Sequence, residues 1–217
     1  MKKYSLAVFD MDGTILDTLQ DLFESMNVIL EKHGLPLRSY QEIRCFVGNG
    51  IHRLVEQAVP EGTDALQIEA VYRDFMAYYQ LHCADQTKPY EGIPELLGEL
   101  RNRGILTAVV SNKADAAVRK LNEEFFPDCF DASAGDQEGI ARKPAPDLVN
   151  LVLEQLGTAR GDAVYIGDSE VDFATAANSN MDFIGVDWGF RGKETLEKLG
   201  TQMIAVKPED VLRYILC

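Results

Sequence analysis

Asp10 and Asp12 stand two residues apart, directly behind the short apolar run Leu6-Ala7-Val8-Phe9, and Gly13-Thr14 follow at once. Two close carboxylates repel, and removal from water raises the cost of their charges. Such a pair needs a metal ion, a shared proton or a basic partner; a solvated turn after an edge strand is the alternative. Later segments supply the partners. Ser111 ends a second apolar run at 105–110, and Asp168 ends another at 163–166, with Asp172 one helical turn further on. Lys143, in Arg142-Lys143-Pro144-Ala145-Pro146, is the available cation. Asp10 and Asp168 are hard oxygen ligands suited to Mg2+, and no His or Cys cluster points to zinc. A Ser111 hydroxyl just ahead of a helix, with the free N–H groups there, can hold a phosphate. Together these groups describe a phosphoryl site with an aspartate inside it. Aspartate can act there as a nucleophile, forming an aspartyl-phosphate. Asp12 can then protonate the leaving alcohol and activate water.

Such a site requires strand ends that converge. Residues 6–9, 105–110, 130–134, 163–166, 183–186 and 204–206 read as short buried strands, separated by helical periodicity at 93–103, 114–126, 147–156, behind 169, and from 209. Strands alternating with helices imply an α/β fold, a doubly wound and mostly parallel sheet with helices on both faces. All C-terminal strand ends then lie along one edge, where such sheets bind ligands. Between Thr14 and the second strand the pattern is helical throughout. Asp17 or Thr18 is expected to cap a helix closing near His33-Gly34, 40–46 and 51–59 flank the turn Val47-Gly48-Asn49-Gly50, and Asp64 caps a longer helix. The expected division is a core of 1–16 and 87–217 with an all-helical cap domain at 17–86. Asp115 is expected to cap the helix after the second strand.

The chain has 217 residues, 46% hydrophobic and 26% charged, with a formal net charge of −14. That composition is ordinary for a globular protein. The acidic balance argues against nucleic acid or an anionic membrane as partner. Cys45, Cys83, Cys129 and Cys217 are scattered without metal-binding spacing, which favours reduced thiols. Lys2 and Lys3 precede an apolar run that Asp10 and Asp12 cut short, against a signal peptide. A cytoplasmic protein, monomeric or homodimeric, is the expectation.

FDMDGTILDT, VVSNK, ARKPAPD and GDSEVD resemble, in order and spacing, the four motifs of the haloacid dehalogenase-like hydrolases. The insertion after Thr14, the VGNG turn and Tyr90-Glu91-Gly92-Ile93 resemble the phosphoglycolate phosphatase-like members, although Glu91 stands where that group has proline. Asn178-Ser179-Asn180 departs from the usual Ala-Gly at its turn. The resemblance implies a Rossmann-like core with a helical cap. It implies Asp10 as nucleophile, Asp12 as acid/base, and Ser111, Asn112 and Lys143 on the substrate phosphate. Asp10, Asp12 and Asp168 would hold Mg2+, and Asp172 would support the metal or Lys143. A proton donor at Asp12 argues against a dehalogenase, since a halide leaves without one.

The expected reaction is Mg2+-dependent hydrolysis of a small phosphorylated metabolite, phosphoglycolate first. Pyrophosphatase, sugar-phosphate phosphatase and phosphomutase activity are alternatives on the same scaffold. A receiver-like signalling module that keeps its phospho-aspartate is the non-enzymatic alternative. Arg44, Asn49, His52 and Arg53 around the glycine turn are the candidate specificity residues, with a solvated helix face as the competing reading. Trp188 and Arg191 are candidates for the pocket border.

Overall fold

Leu6–Phe9 is buried at all four positions, as an unbroken apolar run must be when both faces of a strand are covered. The computed structural model describes residues 3–217, so Met1 and Lys2, including half of the basic start noted above, lie outside the described residues. In chain order the elements begin with β1 (Leu6–Phe9), β2 (Leu16–Asp17), α1 (Leu19–Lys32), α2 (Tyr40–Phe46), α3 (Ile51–Ala58), α4 (Ala65–His82) and β3 (Lys88–Pro89). They continue with α5 (Ile93–Asn102), β4 (Leu106–Ala114), α6 (Asp115–Phe125), β5 (Ala132–Asp136), α7 (Asp147–Leu156) and β6 (Ala163–Gly167). The last are α8 (Glu170–Asn178), β7 (Asp182–Val186), α9 (Lys193–Lys198), β8 (Met203–Ala205) and α10 (Pro208–Leu216).

Six strands form one sheet in the order β5-β4-β1-β6-β7-β8, and every pairing in it is parallel. The fold is therefore α/β with a Rossmann-like, doubly wound core. The chain winds from β1 outward to β4 and β5, then returns to the other side of β1 for β6, β7 and β8. The order reverses between β1 and β6, where a crevice opens at the carboxyl ends. β1 registers with both neighbours at once, Leu6 opposite Leu106 and Ala163, and Phe9 opposite Val109 and Ile166. Leu6, Val8, Val110 and Tyr165 join Leu148, Val149 and Val152 of α7 in a single apolar cluster. Each such side chain, fully buried, contributes about 1.5–3 kcal/mol. That burial fixes the strand ends.

The chain divides into two units, the residues up to Leu16 with Pro89–Cys217, and Asp17–Lys88. The chain leaves the first at β2 and re-enters it at β3, and these two short strands pair. Within the second unit α1 packs on α2 and α4, and α3 packs on α2 and α4. Its helices stop and start on local signals. Ser39 and Glu42 form a capping box on α2, and Asp64 accepts from the Gln67 N–H at the start of α4. Asp21, buried near the start of α1, accepts from the backbone N–H groups of Gln86 and Thr87 and from the Thr87 hydroxyl.

Two expected aspartate caps are corrected. Of the two alternatives for α1, Thr18 occupies the N-cap position, without a side-chain cap bond, and Asp17 lies in β2. Asp115 is already inside α6, and its carboxylate accepts the Gly135 N–H at 3.0 Å and pairs with Arg119. An aspartate near a strand-to-helix boundary can join the next strand instead of capping its own helix.

Candidate active site

The first apolar run ends at the switch point, so Asp10 emerges at the crevice, its own N–H donating to the Ile166 carbonyl of β6. The next residues turn tightly. The N–H groups of Thr14, Ile15 and Leu16 all point at the Met11 carbonyl, and the Gly13 N–H donates back to Leu16. Gly13 has φ +84°, and a Cβ there would lie 2.7 Å from Asp168 Oδ2. The turn therefore demands glycine twice, once for the backbone angle and once for the carboxylate beside it.

Asp10, Asp168 and Asp172 converge, with one carboxylate oxygen of each within 4.8 Å of the others. Lys143 Nζ sits among them, 2.8 Å from Asp10 Oδ1 and 2.8 Å from Asp172 Oδ1. It also donates to the Tyr165 hydroxyl at 3.2 Å, which in turn lies 3.2 Å from the Val110 carbonyl. Two asparagines clamp the loop that carries it. Asn112 Nδ2 donates to the Lys143 carbonyl at 3.1 Å and Asn178 Nδ2 to the Pro144 carbonyl at 2.8 Å. The departure at 178–180 thus has a local consequence, since Asn178 braces the lysine loop and Asn180 takes a left-handed φ of 52° at the helix end. Asp172 is held in place by a capping box in which Ser169 N–H and Oγ both donate to its Oδ2. Asp168 Oδ2 accepts the Phe190 N–H at 2.7 Å and Oδ1 the Thr14 hydroxyl at 3.4 Å.

The electrostatics follow from burial. Loss of solvent and the neighbouring Asp172 charge push Asp10 well above the ordinary carboxylate range, against the pull of Lys143. The same two causes raise Asp168 to about 7. Burial works against the Lys143 charge, but Asp10 and Asp172 outweigh it and hold the ammonium well above its usual value. Three buried carboxylates around one ammonium leave excess negative charge and an all-oxygen donor set. That combination fits a hard divalent cation.

Not every expected residue joins this cluster. The Asp12 side chain points to Lys113, with Nζ 3.2 Å from Oδ1, and is not among the three clustered carboxylates. Ser111 and Asn112 are buried in an irregular end of β4. Val110 pairs with Ala134 and Ala114 with Asp136, so β4 advances four residues where β5 advances two, a bulge that re-aims side chains. The strand expected to stop at Val110 therefore continues to Ala114. Ser111 lies four residues before α6, and its Oγ accepts the Lys113 N–H. Trp188 Nε1 donates to the Thr14 carbonyl at 3.0 Å and Arg191 forks onto Glu170, so both brace the loops around the site. In the helical unit His52 lies between Glu56 and Glu69, Arg53 pairs with Glu56, Arg44 is half-buried and Asn49 is exposed. Sequence reading missed Lys113, Tyr165 and Gly189, which packs directly against the Asp168 side chain. Lys113 carried a signal, a lysine two residues beyond the Ser111 that ends the apolar run at 105–110; Tyr165 had none, being one more large residue in a buried strand.

The sequence profile of the haloacid dehalogenase-like hydrolase family matches residues 7–186. The N-acetylmuramic acid 6-phosphate phosphatase of Pseudomonas aeruginosa is 30% identical over 100% of this chain and 99% of that one. A phosphoglycolate phosphatase of Caulobacter vibrioides is 31% identical over 90% of this chain and 84% of its own. A crystal structure of a phosphoglycolate phosphatase candidate from Lactobacillus delbrueckii subsp. bulgaricus superposes with a TM-score of 0.93 at 40% identity, covering 100% and 99% of the two chains. The chain belongs to the haloacid dehalogenase-like hydrolase family. Within it the chain falls among the phosphoglycolate phosphatase-like members and is a phosphatase acting on a small phosphorylated metabolite, which sets aside the signalling-module reading.

Proposed function

We propose that this phosphatase is Mg2+-dependent and works through an aspartyl-phosphate on Asp10, with phosphoglycolate as the first substrate to test. The observation that carries the reading is Asp10 itself. It is a buried carboxylate at the switch point of the sheet, 2.8 Å from a buried ammonium and grouped with two further carboxylates. In the first step an Asp10 oxygen attacks phosphorus while the ester bond breaks, and Asp12 gives its proton to the leaving alcohol oxygen. In the second, Asp12 takes a proton from water as that water attacks phosphorus. The bond to Asp10 breaks, and inorganic phosphate and the free carboxylate result. Lys143 and Ser111, with Asn112 beside them, neutralise and orient the phosphoryl oxygens. Asp10 and Asp168 would hold the metal, with Asp12 contributing to its shell and Asp172 steadying Lys143. Bound Mg2+ supplies further charge neutralisation for the phosphoryl group.

Substrate choice is proposed to involve Arg44, Asn49, His52 and Arg53 of the helical unit as a specificity cap. The curated relatives divide between a two-carbon phosphate and a sugar phosphate, so the decisive comparison is kcat/KM on phosphoglycolate against N-acetylmuramic acid 6-phosphate. For the mechanism, Asp10→Asn should lower phosphate release in Mg2+ by at least about 10³-fold while leaving the fold intact. Full turnover by that variant would exclude the aspartyl-phosphate.

A further inference from the structure

Lys113 is a lysine with only 4% of its surface exposed, carried at the irregular end of β4 and ion-paired to a carboxylate outside the acidic cluster. Its Nζ lies 3.2 Å from Asp12 Oδ1, and the two side chains are 2% and 17% exposed. A buried ammonium is costly unless paired, and such a pair contributes little net stability compared with apolar packing of the same volume. What it does supply is geometry. Lys113 is buried against Asp12 Oδ1, while Asp12 keeps part of its surface exposed.

The β4 bulge produces this approach. Its two extra residues relative to β5 fall between Val110 and Ala114. Ser111 Oγ accepts the Lys113 N–H at 3.2 Å and Asn112 Nδ2 braces the Lys143 carbonyl. Three successive residues thereby serve three parts of one site, and the third reaches the proposed proton-transfer group.

We propose that Lys113 is the positioning residue for Asp12, anchoring Oδ1 so that Oδ2 carries the proton in both steps. The assignment rests on the acid/base role proposed above. In the first step the proton leaves Oδ2 for the alcohol oxygen as the P–O bond breaks. In the second it returns to Oδ2 from the attacking water. Lys113 exchanges no proton and touches neither reacting atom.

The test uses two leaving groups. p-Nitrophenolate departs without a proton, whereas the alkoxide of an alkyl phosphate such as glycerol 3-phosphate needs one. In Lys113→Met the first step on p-nitrophenyl phosphate should stay fast and the second should slow. Stopped-flow absorbance should then show a burst of about one p-nitrophenolate per active site, followed by a steady state about 10–100-fold below wild type. The alkyl phosphate should lose at least as much in kcat, with no burst and with KM changed less than kcat. Lys113→Arg should recover most of the loss. In an Asp12→Asn background Lys113→Met should cost little more, as expected of two residues acting as one unit. Burst amplitude counts folded sites, so partial misfolding lowers the amplitude without altering the ratio of the phases; an insoluble Met variant is replaced by Lys113→Gln and read in the same way. Wild-type kinetics in the variant, equal losses on both substrates without a burst, or an undiminished loss in the Asp12→Asn background would each overturn the assignment. Failure of the underlying phosphatase mechanism would register elsewhere, as turnover by Asp10→Asn.

Discussion

Asp168 ionises at about 7 because burial strips its solvent and Asp172 adds a second negative charge nearby. An unfolded aspartate ionises near 3.8. Between those values the native state holds a proton that the unfolded chain has released, so this contribution to stability is fully present below about pH 4 and is lost as pH rises through about 7. The metal-free protein should therefore lose up to about 1.4 kcal/mol per pH unit across that window from this group. Urea midpoints in EDTA at pH 5 and pH 7.5, compared with Asp168→Asn, isolate the effect; the wild type should lose its margin over the variant as pH rises. A cation favours the ionised form, so the rise in Tm on adding Mg2+ should be larger at pH 8 than at pH 6. A pH-independent increment would contradict the assignment of Asp168 to the metal. The residue types at this site were legible because carboxylates behind apolar runs are conspicuous. The Asp12–Lys113 pair was not legible, because it joins residues a hundred positions apart through a bulge with no sequence signature.

At the scale of elements, the loop after β7 presses on the end of β6. A Cβ at Gly189 would lie 2.2 Å from Asp168 Cβ and 2.5 Å from the Gly13 carbonyl oxygen. Backbone cannot yield as a flexible side chain can, so Gly189→Ala should cost roughly 1–3 kcal/mol of stability, read as a lower Tm, and weaken Mg2+ binding in the same sample. An unchanged Tm would mean that the loop moves freely away from the metal residues. Sequence periodicity located the long amphipathic elements well; the helix expected at 147–156 is α7, residue for residue. It missed α9, whose six residues bury only Leu196 and so show no apolar period. The strand expected at 130–134 begins instead at Ala132, because Phe130 packs edge-on against Phe126 and Phe9 rather than entering the ladder. Hydrophobicity alone does not separate a strand residue from a core residue just before it.

For the whole molecule, every side chain of the acidic cluster and its lysine comes from the sheet unit. The chain departs and returns through the paired strands β2 and β3, so joining Leu16 to Pro89 by a short Gly-Ser linker spans neighbouring backbone. A protein lacking 17–88 should retain Mg2+-dependent hydrolysis of p-nitrophenyl phosphate, while its kcat/KM values for phosphorylated metabolites should converge to within about tenfold of one another. Retained discrimination would move specificity into the sheet unit. Complete loss of p-nitrophenyl phosphatase activity in a folded variant would place essential chemistry in the helical one.

The amino-acid sequence by itself determined the alternation of strand and helix, the interruption behind Thr14 and the identities of Asp10, Asp12, Ser111, Lys143, Asp168 and Asp172. These depend on local periodicity and on side-chain chemistry, both carried by neighbouring residues. Only the tertiary structure decided which of those groups meet. Parallel pairing on both sides of β1 brings Asp10 to Asp168, Asp172 and Lys143, the β4 bulge turns Lys113 onto Asp12, and Asn112 with Asn178 clamps the lysine loop. Contacts between distant residues depend on strand order and register, which the packing of the whole sheet sets.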